Sequence, residues 1–185
     1  MTNTTILIVA LQQEFNPSHL PTGIRVYYSG IGKINACMAT LKAIHECSPR
    51  QIINFGTAGS VHDGLSGLLP VSRVVQRDVI TSLAPRGQMP MCPRPVQYET
   101  QIDGYTCGTG DTFVTEQDPW LDETGVHLVD MELFAIAAVA HEYKIPWHAY
   151  KYVTDKANDN SVTDWKSQMH LGEQLYLEKL RQLGL

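Results

Sequence analysis

The stretch VDMELFAIAAVAHEYKIPWHAYKYVTDKAN, Val129 to Asn158, decides how the rest of the chain is read. From Met131 to Val139 it is apolar nearly all round except for Glu132, the pattern of a helix buried on most sides with one charge at its start. Ile145-Pro146 ends that pattern, and Trp147 to Val153, rich in aromatic and β-branched residues, suits a strand. With His127 to Val129 closing the preceding strand, the unit reads strand, helix, strand, and the expectation is two parallel strands joined by a right-handed crossover. Twelve helical residues climb roughly 18 Å and seven extended ones return roughly 23 Å, so the chain comes back to the edge it left. Glu132 then follows the first strand and Asp155 the second, and both fall at the carboxyl edge of the sheet, where open α/β sheets bind ligands. The plainer alternative has Glu132 answering the helix dipole and Asp155 capping a helix.

Working outward, 185 residues with 43% apolar and 18% charged types suit one soluble globular domain spanning 1–185. A formal charge of −5 with no Lys/Arg cluster argues against a nucleic-acid partner and leaves room for a small polar ligand. MTNTTILIVAL reads as the approach to a first strand rather than a leader, because no basic segment precedes the apolar run and Gln12 ends it. No stretch approaches the roughly 18 apolar residues of a membrane span. Cys37, Cys47, Cys92 and Cys107 form no C-x-x-C pair, and the seven His lack ligand spacing. The expectation is reduced thiols in a cytoplasmic protein without a metal site.

Thr5 to Leu11 is a continuous apolar run of the kind found in parallel strands covered on both faces, and Glu14 follows it at the same carboxyl edge. Taken alone, Glu14 reads more readily as a solvated loop carboxylate, and it gains weight only in the company of Glu132 and Asp155. Ile24 to Ser29 is a second strand, and Gly30-Ile31-Gly32-Lys33 leads into a helical pattern, presenting free N–H groups without completing either phosphate-loop motif. Gln51 to Phe55 is a third strand that exits through Gly56-Thr57-Ala58-Gly59-Ser60, either a wrap around a sugar or base or an ordinary glycine-rich turn. Leu68 to Val79 is strand-like. Thr81 to Thr100, with Pro85, Pro90, Pro93 and Pro95, is irregular enough to be a lid, an interface element or a surface excursion. Tyr105 to Thr109 is another short strand, after which Phe113 suits stacking on a flat base or, more commonly, a place in the core. Beyond a polar turn at Asn158-Asp159-Asn160, the spacing of Trp165, Met169, Leu171, Leu175, Leu177 and Leu180 predicts one C-terminal amphipathic helix.

Six collinear segments, VALQQEF (Val9 to Phe15), SGIGKINA (Ser29 to Ala36), INFGTAGS (Ile53 to Ser60), TGDTFV (Thr109 to Val114), VDMELFAIA (Val129 to Ala137) and VTDKAN (Val153 to Asn158), give the chain a resemblance to the nucleoside phosphorylase and nucleosidase superfamily. Within it the chain most resembles the 5′-methylthioadenosine/S-adenosylhomocysteine nucleosidases. The resemblance implies a three-layer α/β/α sandwich with a mixed central sheet, acting as a homodimer on a small nucleoside with no cofactor. It also implies cleavage between purine N9 and ribose C1′ through an oxocarbenium-like sugar. Asp155 would be the general acid at N7, Glu14 the base that holds and deprotonates water, Glu132 and Met131 the ribose contacts, and Phe113 the stacking partner of the base. Val114 and the Thr57, Ala58, Gly59 turn would complete the pocket, and Lys151 would stand where the family usually has a substrate-side Arg. Asp130-Met131-Glu132 likewise replaces the usual Glu-Met-Glu. Since Lys lacks the planar fork of Arg, its contacts would differ.

The chemistry fits these residue types independently of the resemblance. An anionic purine is a poor leaving group, and protonation at N7 by Asp155 removes that charge, a transfer commonly worth about 10²- to 10⁴-fold. Carboxylates around the sugar favour its developing cation. Phosphorylases of the superfamily hold phosphate with arginines, one of them at the position of Asn54. Here Asn54 is neutral and Glu14 repels phosphate, which points to water as the acceptor. The other readings compatible with the sequence are a phosphate-dependent phosphorylase, a nucleosidase for futalosine-type intermediates, and a nucleoside-binding protein without turnover.

Overall fold

The computed structural model describes residues 4–158 and 161–185, so Asp159 and Asn160 of the polar turn lie outside the described residues. In chain order the elements are β1 (Thr5–Val9), β2 (Ile24–Tyr28), α1 (Lys33–Cys47), β3 (Gln51–Ser60), β4 (Leu68–Gln76), β5 (Gln97–Glu99), β6 (Tyr105–Thr109), α2 (Pro119–Glu123), β7 (Leu128–Asp130), α3 (Leu133–Glu142), β8 (Trp147–Asp155), α4 (Ser161–Gln168) and α5 (Glu173–Gln182).

β1 shows why helices cover the sheet on both sides. Its five residues are all buried. Ile6 and Ile8 pack with Ala43 and Ile44 of α1 and with Leu133 and Ile136 of α3. Leu7 and Val9, facing the other way, pack with Phe15, Ile53 and Phe55 and with Tyr176, Leu177 and Leu180 of α5. Burying an aliphatic side chain of this size is worth about 1.5–3 kcal/mol, so a strand without a polar face is stable only between two layers. The result is the expected three-layer α/β/α sandwich. Its sheet is mixed: β1 is parallel to β2 and β3, β3 is parallel to β8, and β4 is antiparallel to β8 but parallel to β6.

Three local expectations need correction. The strands flanking α3 are not a parallel pair, because β7 runs antiparallel to β3 whereas β8 runs parallel to it. Segment lengths fix how far the chain returns but not its direction. Glu132 and Asp155 still converge, since Gly59 pairs with Val129 of β7 and with Asp155 of β8, and both strands end beside it. Second, Gly56 to Ser60 is not a turn after a strand but the continuation of β3, buried except at Thr57 and paired with β8 as far as Gly59. Third, the C-terminal pattern is two helices. The break falls before Gly172, where an added Cβ would stand 2.6 Å from the Tyr152 side chain, so the backbone passes too close to β8 for any larger residue. α5 buries Tyr176, Leu177 and Leu180, while Leu171 and Leu175 stay exposed. In the Thr81–Thr100 stretch the regular piece is β5, paired antiparallel with β4.

Candidate active site

The ends of β1, β3, β7 and β8 surround a cleft with about 530 Å³ of empty space, part of it open to solvent. Glu14, just past β1, is buried. Its Oε2 accepts from the Leu11 N–H at 3.0 Å, and its Oε1 accepts from the Thr57 N–H at 3.1 Å and the Thr57 hydroxyl at 2.8 Å. This loop carboxylate is therefore held by the Leu11 and Thr57 donors rather than solvated. Thr57 presents both donors because β3 stays extended through Gly56.

Asp155 ends β8 on the same side of the sheet. Its Oδ1 accepts from the Ala157 N–H at 2.9 Å and its Oδ2 from the Thr154 hydroxyl at 3.0 Å. Gly59 makes room for it, since a Cβ there would stand 2.6 Å from Asp155 Oδ1 and 3.1 Å from a Val129 methyl.

Glu132 is the N-cap residue of α3 but makes no capping bond. Asp130 does that work, its Oδ2 accepting from the Leu133 N–H at 2.8 Å and the Glu132 N–H at 3.3 Å. Glu132 is thereby released toward the cleft, where its Oε1 accepts from the Gly32 N–H at 2.9 Å. Gly30 and Gly32, with φ of 81° and 98°, let the chain turn that N–H outward before α1 begins. Burial, then the nearby charges of Asp130 and Glu14, raise the Glu132 carboxyl to about 7, against the opposing pull of Lys151 and the Gly32 N–H.

Asp130 is neutralised from below. Lys151 Nζ lies 2.7 Å from its Oδ2, with both side chains essentially fully buried, and the Thr109 hydroxyl donates to its Oδ1 at 2.5 Å. Burial alone would push the Asp130 carboxyl up, but the Lys151 ammonium and these hydrogen bonds hold it below its ordinary value, and the same ion pair raises Lys151. The sequence-expected residues Glu14, Thr57, Ala58 and Gly59 line the cleft with Phe113 and Val114 from the loop after β6, and with Met131, Glu132 and Asp155. Lys151 is not among the lining residues and sits beneath them, its ammonium on Asp130.

Arg77 and Trp165 also line the cleft and are not among the site residues expected from sequence. Arg77, just past β4, donates to the carbonyls of Gly108, Gly110 and Thr112 and to the Thr112 hydroxyl, pinning the loop that carries Phe113. Nothing local in the sequence marks it. Trp165 of α4 donates its indole N–H to the Thr57 hydroxyl at 2.9 Å and meets Phe113 edge-on, with ring centroids 5.8 Å apart. The one signal for it was an aromatic on a helix otherwise poor in large apolar residues. Asn54, where an anion-binding side chain would matter most, is spent on structure, its amide donating to the Ile8 carbonyl at 3.0 Å. Among the described residues no group of three or more His, Cys, Asp or Glu is placed to hold a metal ion.

A cleft of this kind has an exposed aromatic on one wall and four buried carboxylates on the others, Glu14, Glu132, Asp155 and the ion-paired Asp130, which suits a flat base joined to a sugar that becomes cationic. A family model for the phosphorylase superfamily matches residues 22–176. Among curated proteins, the 5′-methylthioadenosine/S-adenosylhomocysteine nucleosidase of Shewanella piezotolerans is 31% identical over 164 residues, covering 74% of this chain and 70% of the relative. That of Shewanella oneidensis is 30% identical over 192 residues, covering 89% and 80%. Two Helicobacter pylori structures share the fold. One is a methylthioadenosine nucleosidase variant with 5′-methylthioadenosine in its active site, with a TM-score of 0.85, 19% identity and 98% of each chain covered. The other is a futalosine hydrolase with a TM-score of 0.86, 21% identity, and 98% of this chain and 97% of that one covered.

Proposed function

The chain belongs to the phosphorylase superfamily, and from that premise we propose that it is a nucleosidase, hydrolysing the N-glycosidic bond of a 5′-substituted adenosine of the methylthioadenosine/S-adenosylhomocysteine type. The observation that carries this reading is the convergence of Glu14, Glu132 and Asp155 on one cleft walled by Phe113. In this reading Phe113 and Val114 hold the base, and Asp155, carrying a proton when substrate is bound, delivers it to N7 as the N9–C1′ bond breaks, so the base leaves neutral. Glu132 and Met131 hold the ribose hydroxyls, and the carboxylates stabilise the cationic sugar. Glu14 takes a proton from the attacking water through the acceptor position on Oε2 that the Leu11 and Thr57 donors leave open.

Water is favoured over phosphate by what has become of the cations. Lys151 is paired with Asp130, the Arg77 guanidinium is occupied by the loop it pins, and a phosphate dianion would face carboxylates instead. Further parts of the proposal are a single domain over 1–185, a cytoplasmic location and a homodimer. Apolar residues exposed in the 80–96 segment support the homodimer. Among the described residues no helix is long and apolar enough to cross a membrane.

The test is release of free adenine from methylthioadenosine in phosphate-free buffer, repeated with phosphate added and with futalosine as a second substrate. Hydrolysis without phosphate is the expected result. Release that requires phosphate would make the protein a phosphorylase, and binding without release a nucleoside-binding protein.

A further inference from the structure

Trp165 does more than wall the cleft. Its indole N–H can only donate, and it donates to the Thr57 hydroxyl at 2.9 Å. That hydroxyl has a single proton and a second neighbour, Glu14 Oε1, at 2.8 Å. With the indole filling the acceptor side of the oxygen, the Thr57 proton is left to the carboxylate, so the rotor is fixed and the chain of donors runs from indole to hydroxyl to Glu14. The Thr57 N–H, 3.1 Å from the same oxygen, completes a grip on one side of Glu14. Because α4 packs against β8 and carries Trp165 into the cleft, the seating of this helix and the orientation of Glu14 are mechanically linked.

We propose that Trp165 is a positioning residue for the water-activating Glu14, acting through the Thr57 hydroxyl. This rests on the nucleosidase reading above and adds to it a role that an aromatic ring without an N–H cannot fill. A tryptophan that served only as an apolar wall would be replaced adequately by phenylalanine, which also keeps the edge contact with Phe113.

The experiment is a steady-state cycle on adenine release from methylthioadenosine with wild type, W165F, T57V, T57S and W165F/T57V. Loss of one well-placed hydrogen bond corresponds to a factor of about 3–10, and W165F is expected to lower kcat by that amount while KM stays within about twofold. T57V lowers kcat at least as much, and T57S, which retains the hydroxyl, recovers most of what T57V loses. W165F/T57V is no worse than T57V, because the relay is already cut. Thermal melts of each variant establish that the fold is intact, and W165L, which also lacks the N–H, replaces W165F if that variant does not fold. Wild-type kcat in W165F, an effect on KM alone, or a double variant equal to the product of the singles would overturn the proposal while leaving the nucleosidase reading standing. A wild type that releases no adenine would overturn both.

Discussion

Each carboxylate of the cleft is set by a different neighbour, and each can be tested by removing one atom's worth of chemistry. Asp155→Asn keeps the shape and can still accept from the Ala157 N–H, with its NH2 donating to the Thr154 oxygen in place of the bond it loses, but it has no acidic proton to give N7. Adenine release should fall by at least about 10²-fold while an adenosine analogue still binds, as read by calorimetry beside the rate assay. A near-wild-type rate would remove Asp155 from the role of acid. Glu132, raised to about 7 by burial and by Asp130, holds its proton in the folded state at pH values where the unfolded chain has lost it. Its contribution to stability is therefore full below about pH 4.5 and lost as pH rises through about 7, a change of up to about 3 kcal/mol. Glu132→Gln, neutral throughout, should not show that loss, so urea midpoints of the two proteins should diverge between pH 5 and 8; parallel curves would contradict the raised value. Glu14, Glu132 and Asp155 were legible in sequence because each follows an apolar run that ends a strand, and strand exits are local signals. Trp165 was not, because the oxygen it binds is 108 residues away and no periodicity records that contact.

At the scale of elements, the Asp130–Lys151 pair joins the end of β7 and the start of α3 to the middle of β8. Thr109 of β6 extends the network, donating to Asp130 and accepting from the Phe134 N–H at 3.0 Å. Because Lys151 sits under the cleft, its loss should act first on stability. Lys151→Met leaves a buried carboxylate uncompensated and should cost about 3–5 kcal/mol in urea unfolding, whereas D130N/K151M, which removes both charges, should cost much less than the two single variants added together. Additive losses would mean that the two side chains do not act as a pair. With Asp130 held below its ordinary value, the pair's contribution is present at neutral pH and should fade as pH drops through the acid range. The elements themselves were read well where burial writes a continuous or alternating pattern, as in β1, α1, β6 and β8. The sense of β7 was misread because the alternation of side chains is the same in either direction, and pairing with β3 decides it. The split between α4 and α5 was missed for a similar reason: the close approach of Gly172 to Tyr152 is tertiary and leaves the helical spacing on either side intact.

For the whole molecule, the surface left over after folding is the informative quantity. Ile80, Leu83, Met89 and Met91 are all exposed within one irregular segment, Leu83 by 76% and Met91 by 98%. The Lys33–Asp78 ion pair, at 2.6 Å, draws the start of α1 to the base of that segment, and α1 adds exposed Ile34 and Met38 one turn apart. Folded monomers seldom expose so many large apolar side chains in one short segment, whereas a second copy would cover them. The segment also leaves the end of β4 beside Arg77, which lines the cleft, so a partner seated there would stand near the substrate as well as on the apolar surface. Placing two charges in the patch, as in L83D/M91D, should convert a dimer to a monomer in sedimentation equilibrium without lowering the melting temperature of the monomer's own core. If the partner's segment completes the cleft, the same variant should lose about tenfold in kcat/KM for methylthioadenosine, mostly through KM, because a binding wall has been removed and Glu14, Glu132 and Asp155 are untouched. A wild type that sediments as a monomer at all concentrations would end the homodimer reading, and a monomeric variant with full kcat/KM would show that each chain carries a complete site.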